Sequence, residues 1–406
     1  MKILVLNSGS SSLKYEVFDL ENLNVLARGI VEKIGEEGSF LRYRVNLAQR
    51  VIEETKNLVI PDHDIALKNV LNVLLDGKHG VIRDKSEVVA IGHRVVHGGE
   101  TFHSTAIIDG KVIDTIRENI NLAPLHNPPN LKGIEVARRI FTEALQVAVF
   151  DTAFHHSIPR KAFIYAIPLE MYQKHKIRRY GFHGTSHAYV AEKTSEYMGK
   201  PLEDLSLITV HLGNGASMAA VKNGKCVDTS MGMTPLEGLV MGTRSGDIDP
   251  ALPFYMAGQL GMSYDAIENL LNRECGLRGL CGTNDMRAVV KMSKGGNEKA
   301  KLALDIYCYR IKKYIGAYTA ILGGVDAIVF TAGIGENSPD VRSLSCSDLG
   351  YLGIEIDEEK NISSSGEIRE ISTAASRVKI LVVPTNEELK IAIETKKAYA
   401  RISGNR

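Results

Sequence analysis

Alternating or continuous apolar positions occur in three separate stretches of the chain and predict strands there. The opening stretch, "KILVLNSGSSSLKYEVFD", contains two such segments around a turn of glycine and serine, and "VLARGIVEKI" and "FLRYRVN" follow it. The middle stretch, "SLITVHLGNGASMAAVKNGKCVDTS", alternates apolar runs with Gly/Asn turns and therefore predicts a β-meander. The late segments "VDAIVFTAGIGEN" and "KILVVPTNEE" predict apolar strands that end in polar turns.

Between these stretches the apolar residues recur at helical spacing. The predicted helices are "DIALKNVLNVLLDG", "PNLKGIEVARRIFTEAL", "SYDAIENLLNREC" and the long "EKAKLALDIYCYRIKKYIGAYTAILGG". The long segment ends in a pair of glycines, which is a common helix stop. Interleaved strands and helices predict an α/β protein.

The first and middle meanders align at a constant offset: Leu6 with Val210, Gly9 with Gly213, and Val17 with Val221. This similarity suggests two related halves with a cleft between them, although two hairpins can also resemble each other by chance. A chain of 406 residues is too long for one ordinary core. We therefore expect a first domain of residues 1–150 with the final helix 388–406, and a second of residues 151–387.

The composition describes a globular protein with no special charge. It is 44% hydrophobic and 24% charged, with a net charge of +1 and scattered basic residues. This balance argues against a nucleic-acid or membrane partner. The five cysteines show no CxxC spacing, and no apolar run approaches the roughly 18 residues of a membrane span. These features predict a cytoplasmic protein with reduced thiols.

The opening turn ends in Lys14 but is not a P-loop, because its spacing differs and a strand rather than a helix follows. Backbone N–H groups and serine hydroxyls in a hairpin turn can still hold an anion, with Lys14 as a point charge. A surface hairpin that merely tolerates serines is the alternative. Two further glycine turns, "HLGNG" (211–215) and "TAGIGENS" (331–338), follow strands. In the second, Ser338 can cap a helix with Pro339 at its first position.

Only glycine lets backbone donors approach a polyphosphate so closely, so three such turns predict nucleotide binding. Several longer strings point further: "LVLNSGSSSLKYEVF", "GHRVVHGG", "VFDTAFH", "GFHGTSH", "HLGNGAS", "TPLEGLVMGTRSGDIDP", "FTAGIGENS" and "PTNEEL". In this order and spacing they resemble the acetate kinase family over nearly the whole chain. The resemblance implies two duplicated actin-like (ribonuclease-H-like) domains with a nucleotide cleft between them.

The implied reaction is a reversible, direct in-line transfer of a phosphoryl group between ATP and acetate, which gives acetyl phosphate and ADP. The implied cofactor is Mg²⁺, with Mn²⁺ as an alternative, and a homodimer is expected. A propionate- or butyrate-preferring kinase of the same fold, a non-catalytic nucleotide switch, and a zinc hydrolase remain as alternative hypotheses.

Four residues carry the implied chemistry. Arg94 would orient acetate, since a guanidinium can bind a carboxylate through two hydrogen bonds. Arg244 and His183 would stabilise the charge of the moving phosphoryl group. The alternatives are a surface ion pair for Arg94 and a bond from Arg244 to Asp247 or Asp249.

Asp151 follows an apolar run, where related enzymes place a proton acceptor. Acetate, with a pKa of about 4 to 5, is already ionised at pH 7 and has no proton to give. We therefore expect Asp151 to align Arg94 or Arg244 and to help position magnesium.

The histidines allow a further interpretation. His183 and His187 are four residues apart, but no HExxH string occurs, and His187 lies within a predicted helix capped by Thr185 or Ser186. Structural roles are expected for His187, His93 and His97. The sequence does not decide between structural and functional roles for His155 and His156.

The resemblance also assigns the remaining site residues. The acceptor pocket would be walled by Val96, Leu125, Phe182 and Pro235, and Asn7 and Glu387 would contact Mg²⁺ through water. Thr385 and Glu388 have capping-box spacing, which leaves Glu387 as the freer carboxylate. A turn pair is the alternative for Asp285 and Arg287. The nucleotide contacts would be Ser10, Ser12, Lys14, His211, Leu212, Gly213, Asn214, Gly215, Asp285, Met286, Arg287, Gly333, Ile334, Gly335, Glu336 and Asn337.

Overall fold

The computed structural model describes residues 1–47, 50–124, 126–363 and 366–404. The strands in this part are β1 (Lys2–Ser8), β2 (Ser12–Asp19), β3 (Val25–Glu32), β4 (Phe40–Leu47), β5 (Arg50–Asn57), β6 (Val88–Val95), β7 (Ala106–Ile107), β8 (Leu145–Phe150), β9 (Ser206–Leu212), β10 (Ala216–Lys222), β11 (Lys225–Thr229), β12 (Ala327–Thr331), β13 (Arg369–Glu370) and β14 (Lys379–Val382).

The helices alternate with these strands. They are α1 (His63–Leu74), α2 (Gly110–Glu118), α3 (Asn127–Ile140), α4 (Arg160–Phe163), α5 (Leu169–His175), α6 (Gly184–Met198), α7 (Leu252–Leu260), α8 (Tyr264–Asn269), α9 (Gly276–Cys281), α10 (Met286–Lys294), α11 (Glu298–Leu322), α12 (Ala332–Asn337), α13 (Pro339–Cys346), α14 (Glu358–Ile362) and α15 (Glu387–Ser403). Short 3₁₀ turns lie at Lys85–Glu87, Ile120–Leu122, Ala153–Ser157, Leu202–Asp204 and Gly350–Leu352, and a π turn lies at Leu270–Glu274.

The chain divides into two compact units. The first contains Met1–Ala153 and Asn386–Arg406, and the second contains Phe154–Thr385. Asp151 and Glu387, which the sequence assigned to the second domain, therefore belong to the first unit. A helix at the end of the chain returns to the first unit, since α15 packs against β1, β6 and β8.

The first unit is built on an eight-stranded mixed sheet with the order β5-β4-β3-β2-β1-β6-β8-β7. Its central strand β1 is apolar on both faces because helices cover both. Leu4 and Leu6 belong to the core that includes residues of α1 and α3. Ile3 and Val5 point the other way, into a core shared with α15. The period-two alternation of a strand thus supplies two cores from one apolar run.

The second unit repeats this plan. Its six-stranded sheet has the order β11-β10-β9-β12-β14-β13. The strand β9 forms an antiparallel hairpin with β10 and lies parallel to β12, as β1 does with β2 and β6. Helices α6 and α11 pack against it. The predicted α/β fold of two duplicated halves is confirmed.

Three local predictions needed correction. Strand β5 was missed, because it is an edge strand whose described side chains are mostly exposed and lack an apolar period. The predicted helix "SYDAIENLLNREC" is α8 followed by the π turn. The glycine turn "GIGEN" lies in a short helix, α12, whose first residue, Ala332, has a left-handed backbone conformation (φ 64°).

Candidate active site

The first group of predicted residues surrounds Arg94 near the end of β6. The Oδ2 atom of Asp151, which directly follows β8, accepts hydrogen bonds from Arg94 Nε at 3.0 Å and from Nη2 at 2.7 Å. Arg94 Nη1 lies 3.5 Å from Asn7 Oδ1, and Arg94 Nε lies 3.8 Å from Glu387 Oε2. The parallel strands β1, β6 and β8 end at the same edge of the sheet, which brings these side chains together.

The electrostatics of this group are tightly balanced. Burial acts to lower the pKa of Arg94, but the carboxylates of Asp151 and Glu387 hold that pKa above its ordinary value. Burial raises the pKa of Glu387 to about 7; Asp151 and Glu388 add to the rise, while Arg94 and Lys14 oppose it. The Asp151 side chain is 1% exposed and that of Arg94 is 23% exposed. Arg94 is thus held in place by Asp151 while part of its side chain remains exposed.

Asn130 of α3 fixes the strand ends beneath Arg94. Its Nδ2 donates to the backbone oxygen of Ser8 at 2.7 Å, and its Oδ1 accepts from the backbone N–H of Val96 at 3.0 Å. The ends of β1 and β6 are therefore joined by one buried amide. Sequence reasoning missed Asn130, because an asparagine at the start of a helical pattern is ordinarily interpreted as a solvent-facing or capping residue.

The N-terminus of α15 corrects the predicted capping box. Asn386, not Thr385, caps the helix through its side chain, which accepts from the N–H of Leu389 at 2.9 Å. The Thr385 hydroxyl instead bonds Ser186 Oγ at 2.8 Å. Glu387 therefore occupies the first helical position. Its carboxylate does not cap the helix and lies 3.8 Å from Arg94 Nε.

The opening turn is a hairpin, as predicted, with β1 and β2 antiparallel. The N–H of Gly9 donates to the backbone oxygen of Ser12 at 2.8 Å, and a Cβ at Gly9 would lie 2.8 Å from Ser12 Oγ. Ser10 and Lys14 are exposed. Lys14 lines a cavity of about 280 Å³ with Glu388 and three arginines of β3 and β4.

The second group of predicted residues surrounds Gly215 in the second unit. A Cβ built at Gly215 would lie 3.3 Å from His183 Nε2 and 3.4 Å from Arg244 Nη1. His183 directly precedes α6 and has a left-handed backbone (φ 56°). A side chain at Gly215 would crowd both groups, so the glycine between β9 and β10 leaves them room. The structure thus brings together a histidine and an arginine that lie 61 residues apart in the chain.

Arg244 does not form the ion pair that the sequence offered as its alternative. Asp247 instead pairs with Arg310 at 3.3 Å and accepts from the Tyr314 hydroxyl at 2.9 Å, while Asp249 Oδ1 accepts from the N–H of Ala251 at 2.8 Å. Arg244 Nη1 donates to the backbone oxygen of Pro235 at 3.2 Å. Among the described residues no carboxylate pairs with Arg244, and burial lowers its pKa.

Three predicted nucleotide segments line one cavity of about 820 Å³ in the second unit. The glycine turn after β9, the start of α10 and the short helix α12 meet there. The predicted residues in its wall are Gly213, Asn214, Asp285, Met286, Arg287, Gly333, Ile334 and Asn337. The turn pair also forms, with Arg287 Nη2 2.8 Å from Asp285 Oδ2. Asp285 and Arg287 therefore form the turn pair and also line the cavity.

Four other predicted nucleotide residues support this cavity rather than line it. Leu212 is fully buried, and His211 Nδ1 bonds Ser186 Oγ at 2.8 Å. The backbone oxygens of Gly335 and Glu336 accept from Arg342 at 2.8 and 3.0 Å. Arg342 itself is 1% exposed and also donates to Asn361. Sequence reasoning missed this arginine, whose partner lies on α14.

The predicted acceptor wall is distributed over both units. Val96 is buried in the first unit, and Phe182 is buried in the second, where its backbone oxygen bonds His155 Nε2 at 2.8 Å. Pro235 lies nine residues before Arg244 in the chain, and its backbone oxygen accepts a hydrogen bond from Arg244 Nη1. Leu125 lies outside the described residues.

The histidines are bonded to ordinary protein partners. His93 Nε2 lies 2.8 Å from Gln146 Oε1, and the backbone N–H of Gly99 donates to His97 Nδ1 at 3.0 Å. His155 is buried against Cys226 Sγ at 3.2 Å, whereas His156 is exposed. Neither Thr185 nor Ser186 caps α6, since both lie within it. In the described part of the chain no three His, Cys, Asp or Glu side chains gather as metal ligands, so the zinc hypothesis gains no support.

The residues expected to hold magnesium do fit that ion. Asn7 and Glu387 offer only oxygen donors, which Mg²⁺ prefers, and Mg²⁺ keeps several waters, so two protein contacts suffice. Burial already raises the pKa of Glu387 to about 7. A carboxylate with this pKa shift is incompletely compensated and is suited to a divalent cation.

Comparisons with known proteins show the family to which the chain belongs. The model of the acetokinase family matches residues 2–393. The acetate kinase of Thermotoga petrophila is 56% identical over 405 residues, which is 99% of this chain and 100% of that protein. The crystal structure of an acetate kinase from Porphyromonas gingivalis has a TM-score of 0.91 and 46% identity, covering 98% of this chain and 99% of that one. A propionate kinase from Francisella tularensis gives 0.90 and 43%, with the same coverage.

The fold is that of the two-domain, actin-like phosphotransferases. Within that class, the chain belongs to the acetokinase family and is an enzyme, a carboxylate kinase. No helix in the described part of the chain has the length and apolar character needed to cross a bilayer.

Proposed function

We propose that this enzyme transfers a phosphoryl group reversibly and directly between ATP and acetate, with Mg²⁺, to form acetyl phosphate and ADP. The observation that carries the proposal is the pair of Arg244 and His183 around Gly215. Arg244 is half-buried, and no carboxylate of the described chain compensates it. A withdrawn guanidinium of this kind is suited to an anion that arrives with the substrate.

Phosphoryl transfer requires positioning and positive charge more than covalent chemistry. Arg244 Nη1 and His183 Nε2 both approach the space above Gly215, and both would donate to the oxygens of the moving group. The negative charge on those oxygens would be stabilised without any rearrangement of a competing ion pair. This is the work that an arginine supplied in cis performs in other phosphotransferases.

The acceptor would be held by Arg94. Asp151 Oδ2 accepts from Nε and Nη2 of this guanidinium, while Nη1 makes, among the described residues, a single long contact of 3.5 Å to Asn7 Oδ1. We propose that the acetate carboxylate binds at the Nη1 side, and that Asp151 orients Arg94 instead of accepting a proton. The two hydrogen bonds that converge on Asp151 Oδ2 support this role, because they restrain the orientation of the guanidinium.

The nucleotide would occupy the cavity of about 820 Å³, which is of the size that small-molecule sites have. Its adenosine end would face Asp285, Met286 and Arg287, and its phosphates would lie along the glycines of the turn after β9. Lys14, Ser10 and Ser12 would add donors from the opening hairpin. Mg²⁺ would be held through water by Asn7 and Glu387, and it would neutralise phosphate charge.

Relatives named acetate kinase support acetate as the acceptor. A solved propionate kinase is, however, also 43% identical to this chain. One added methylene changes selection in an apolar pocket by only about 1–3 kcal/mol. A propionate preference therefore remains the second candidate. A non-catalytic switch is disfavoured, because it has no use for an arginine held by Asp151 at an acceptor site.

A homodimer in the cytoplasm completes the proposal. Helix α7 is strongly apolar, yet none of its residues is buried within the chain. Phe254 is 72% exposed and Leu260 is 62% exposed, and Tyr264 of the adjacent α8 is 78% exposed. Exposed apolar side chains clustered in this way are typical of a surface covered by a second copy.

The test is an acetyl-phosphate assay with acetate, propionate and butyrate at saturating ATP and Mg²⁺, with Arg244→Met as the matched control. We expect the highest kcat/KM with acetate and a strong loss in the variant for every acid. A higher kcat/KM with propionate would favour the second candidate. If wild-type protein forms no acyl phosphate from any of the acids, the proposed function is wrong.

A further inference from the structure

A continuous chain of hydrogen bonds leads inward from His183 through the second unit. His183 Nδ1 lies 2.9 Å from Ser217 Oγ, which lies 2.8 Å from His187 Nε2. His187 Nδ1 lies 2.7 Å from Thr209 Oγ1, and Thr209 Oγ1 lies 3.4 Å from the backbone oxygen of Ala219. The neighbouring strands β10 and β9 supply Ser217 and Thr209, and His187 lies on α6.

The far end of this chain sets its direction. A carbonyl oxygen can only accept, so the Thr209 hydroxyl donates to Ala219 and accepts from His187 Nδ1. Burial lowers the pKa of His187 well below its ordinary value, so its ring is neutral and carries one proton. With that proton on Nδ1, His187 Nε2 must accept from the Ser217 hydroxyl. The Ser217 oxygen then accepts from His183 Nδ1–H.

We propose that Ser217, His187 and Thr209 are positioning residues that fix the protonation pattern of His183 for phosphoryl transfer. They hold His183 Nδ1 as a donor, which leaves Nε2, the atom above Gly215, to carry the second proton and donate it in a hydrogen bond to the phosphoryl group. This inference rests on the proposed function. It gives His187 a role beyond the structural one that the sequence suggested.

The surroundings of His183 support the need for such control. Its ring stacks on His211 at 4.3 Å, and His187 faces both His155 at 5.6 Å and His211 at 6.1 Å. Arg244 approaches the same space above Gly215. Among these neighbours, Arg244 disfavours a second positive charge nearby. An acceptor at Nδ1 counteracts that effect, because it stabilises the imidazolium.

The backbone of His183 gives a second reason for a firm anchor. A histidine with φ of 56° lies in the left-handed region, which a residue other than glycine adopts at a cost. Strain of this kind persists only where surrounding contacts determine the conformation. The bond to Ser217 is such a contact, and it aims the ring at Gly215.

The test compares Thr209→Val, which removes the hydroxyl at nearly constant volume, with Thr209→Ser, which keeps it. The ¹⁵N chemical shifts of the neutral His183 ring are measured in full-length protein without substrate. We expect the proton on Nδ1 in wild type and in Thr209→Ser. In Thr209→Val, His187 loses its acceptor and reverses its tautomer, so Ser217 donates to His183 Nδ1 and the proton moves to Nε2. An unchanged His183 tautomer in Thr209→Val would overturn the proposal.

Kinetics provide the second measurement. In Thr209→Val the neutral His183 ring still donates from Nε2, but the imidazolium has lost its acceptor at Nδ1. We therefore expect kcat to fall by about 10-fold with acetate KM nearly constant, because a hydrogen bond from a charged donor is stronger than one from a neutral donor. The His183 limb of the kcat–pH profile should move to lower pH and return in Thr209→Ser. An unmoved limb would contradict the proposal.

If Thr209→Val does not fold, Ser217→Ala breaks the same chain and should mix the two His183 tautomers; a single Nδ1–H form there would count against the proposal. The tautomer is read without catalysis. A wild-type protein that shows the expected tautomer but forms no acyl phosphate would refute the proposed function alone.

Discussion

The two arginines of the candidate site differ in how their charge is compensated. Arg94 is bonded by Asp151 and lies 3.8 Å from Glu387, so its region is balanced before any ligand arrives. Arg244 is half-buried beside His183, and within the described part of the chain its side chain donates to the Pro235 carbonyl and, weakly, to Met241 Sδ at 3.7 Å. Both arginines would meet anions, but the first is prepared for precise orientation and the second for charge stabilisation. The contrast predicts opposite effects on stability and on kinetics.

The largest effect is expected at Arg244. Arg244→Met should lower kcat by about 10³-fold, which is the low end of what arginines contribute to phosphoryl transfer. Its free energy of unfolding should stay constant or rise, because a poorly compensated charge leaves the half-buried site. Steady-state kinetics and urea denaturation measure the two. A destabilised protein with nearly normal kcat would remove the contrast with Arg94.

Arg94→Met should behave in the reverse way. The variant leaves the Asp151 carboxylate, which is 1% exposed, without its partner, and breaking such a pair costs about 3–5 kcal/mol of unfolding free energy. The acetate KM should rise as well, since the proposed carboxylate clamp is lost. The control is Arg94→Met with Asp151→Asn, which removes both charges and should recover much of the stability. If single and double variants are equally stable, the pair is not what stabilises this region.

A buried, neutral histidine, His93, precedes Arg94 on β6 and gives the next effect. Burial lowers the pKa of His93 to about 4. Between pH 6.5 and about pH 4 the unfolded chain therefore binds a proton that the folded chain does not. The stability from this group is complete above pH 6.5 and is lost as pH falls, by up to about 3 kcal/mol.

Urea denaturation of wild type and His93→Gln across this range checks the prediction. The variant should lose less stability on acidification, because its side chain does not titrate and can still bond Gln146. Parallel curves for the two proteins would assign the acid response to other groups.

The smallest effect on stability is expected at the nucleotide cavity. Arg287 is 91% exposed, and an exposed ion pair such as that with Asp285 contributes little to stability because water and salt screen it. Arg287→Ala should therefore leave the unfolding free energy nearly unchanged while it raises the KM for ATP. Lys291→Ala, at another exposed position of α10 outside the cavity wall, serves as the control and should change neither quantity. An equal KM effect in both variants would argue against a nucleotide at this surface.

The contrast between the arginines also shows how far the sequence reaches. Apolar periodicity predicted β1, β9 and their hairpins, because strands buried on both faces leave a strong pattern. The strand ends then indicated where Asp151 and the glycine turns would lie. β5 was missed, since an exposed edge strand needs no apolar face.

Partner choice was beyond the sequence. Asp247 is three residues from Arg244 in the chain, yet it pairs with Arg310 on α11, because tertiary packing rather than chain proximity brings charges together. For the same reason the sequence did not predict the hydrogen bonds that join Asn130 to Ser8 and Val96. It also did not predict the hydrogen-bonded series from His183 to Thr209. These contacts link residues whose local patterns are those of ordinary helices and strands. Asn386 rather than Thr385 caps α15, a choice that the spacing of the residues alone does not decide.

The central claim, that Arg244 is reserved for the moving phosphoryl group, is tested most directly by calorimetric binding of ADP with and without a planar phosphoryl mimic, in wild type and in Arg244→Met. We predict that both proteins bind ADP equally and that only wild type gains affinity when Mg²⁺, fluoroaluminate and acetate are added. An equal gain in the Arg244→Met variant would contradict the account.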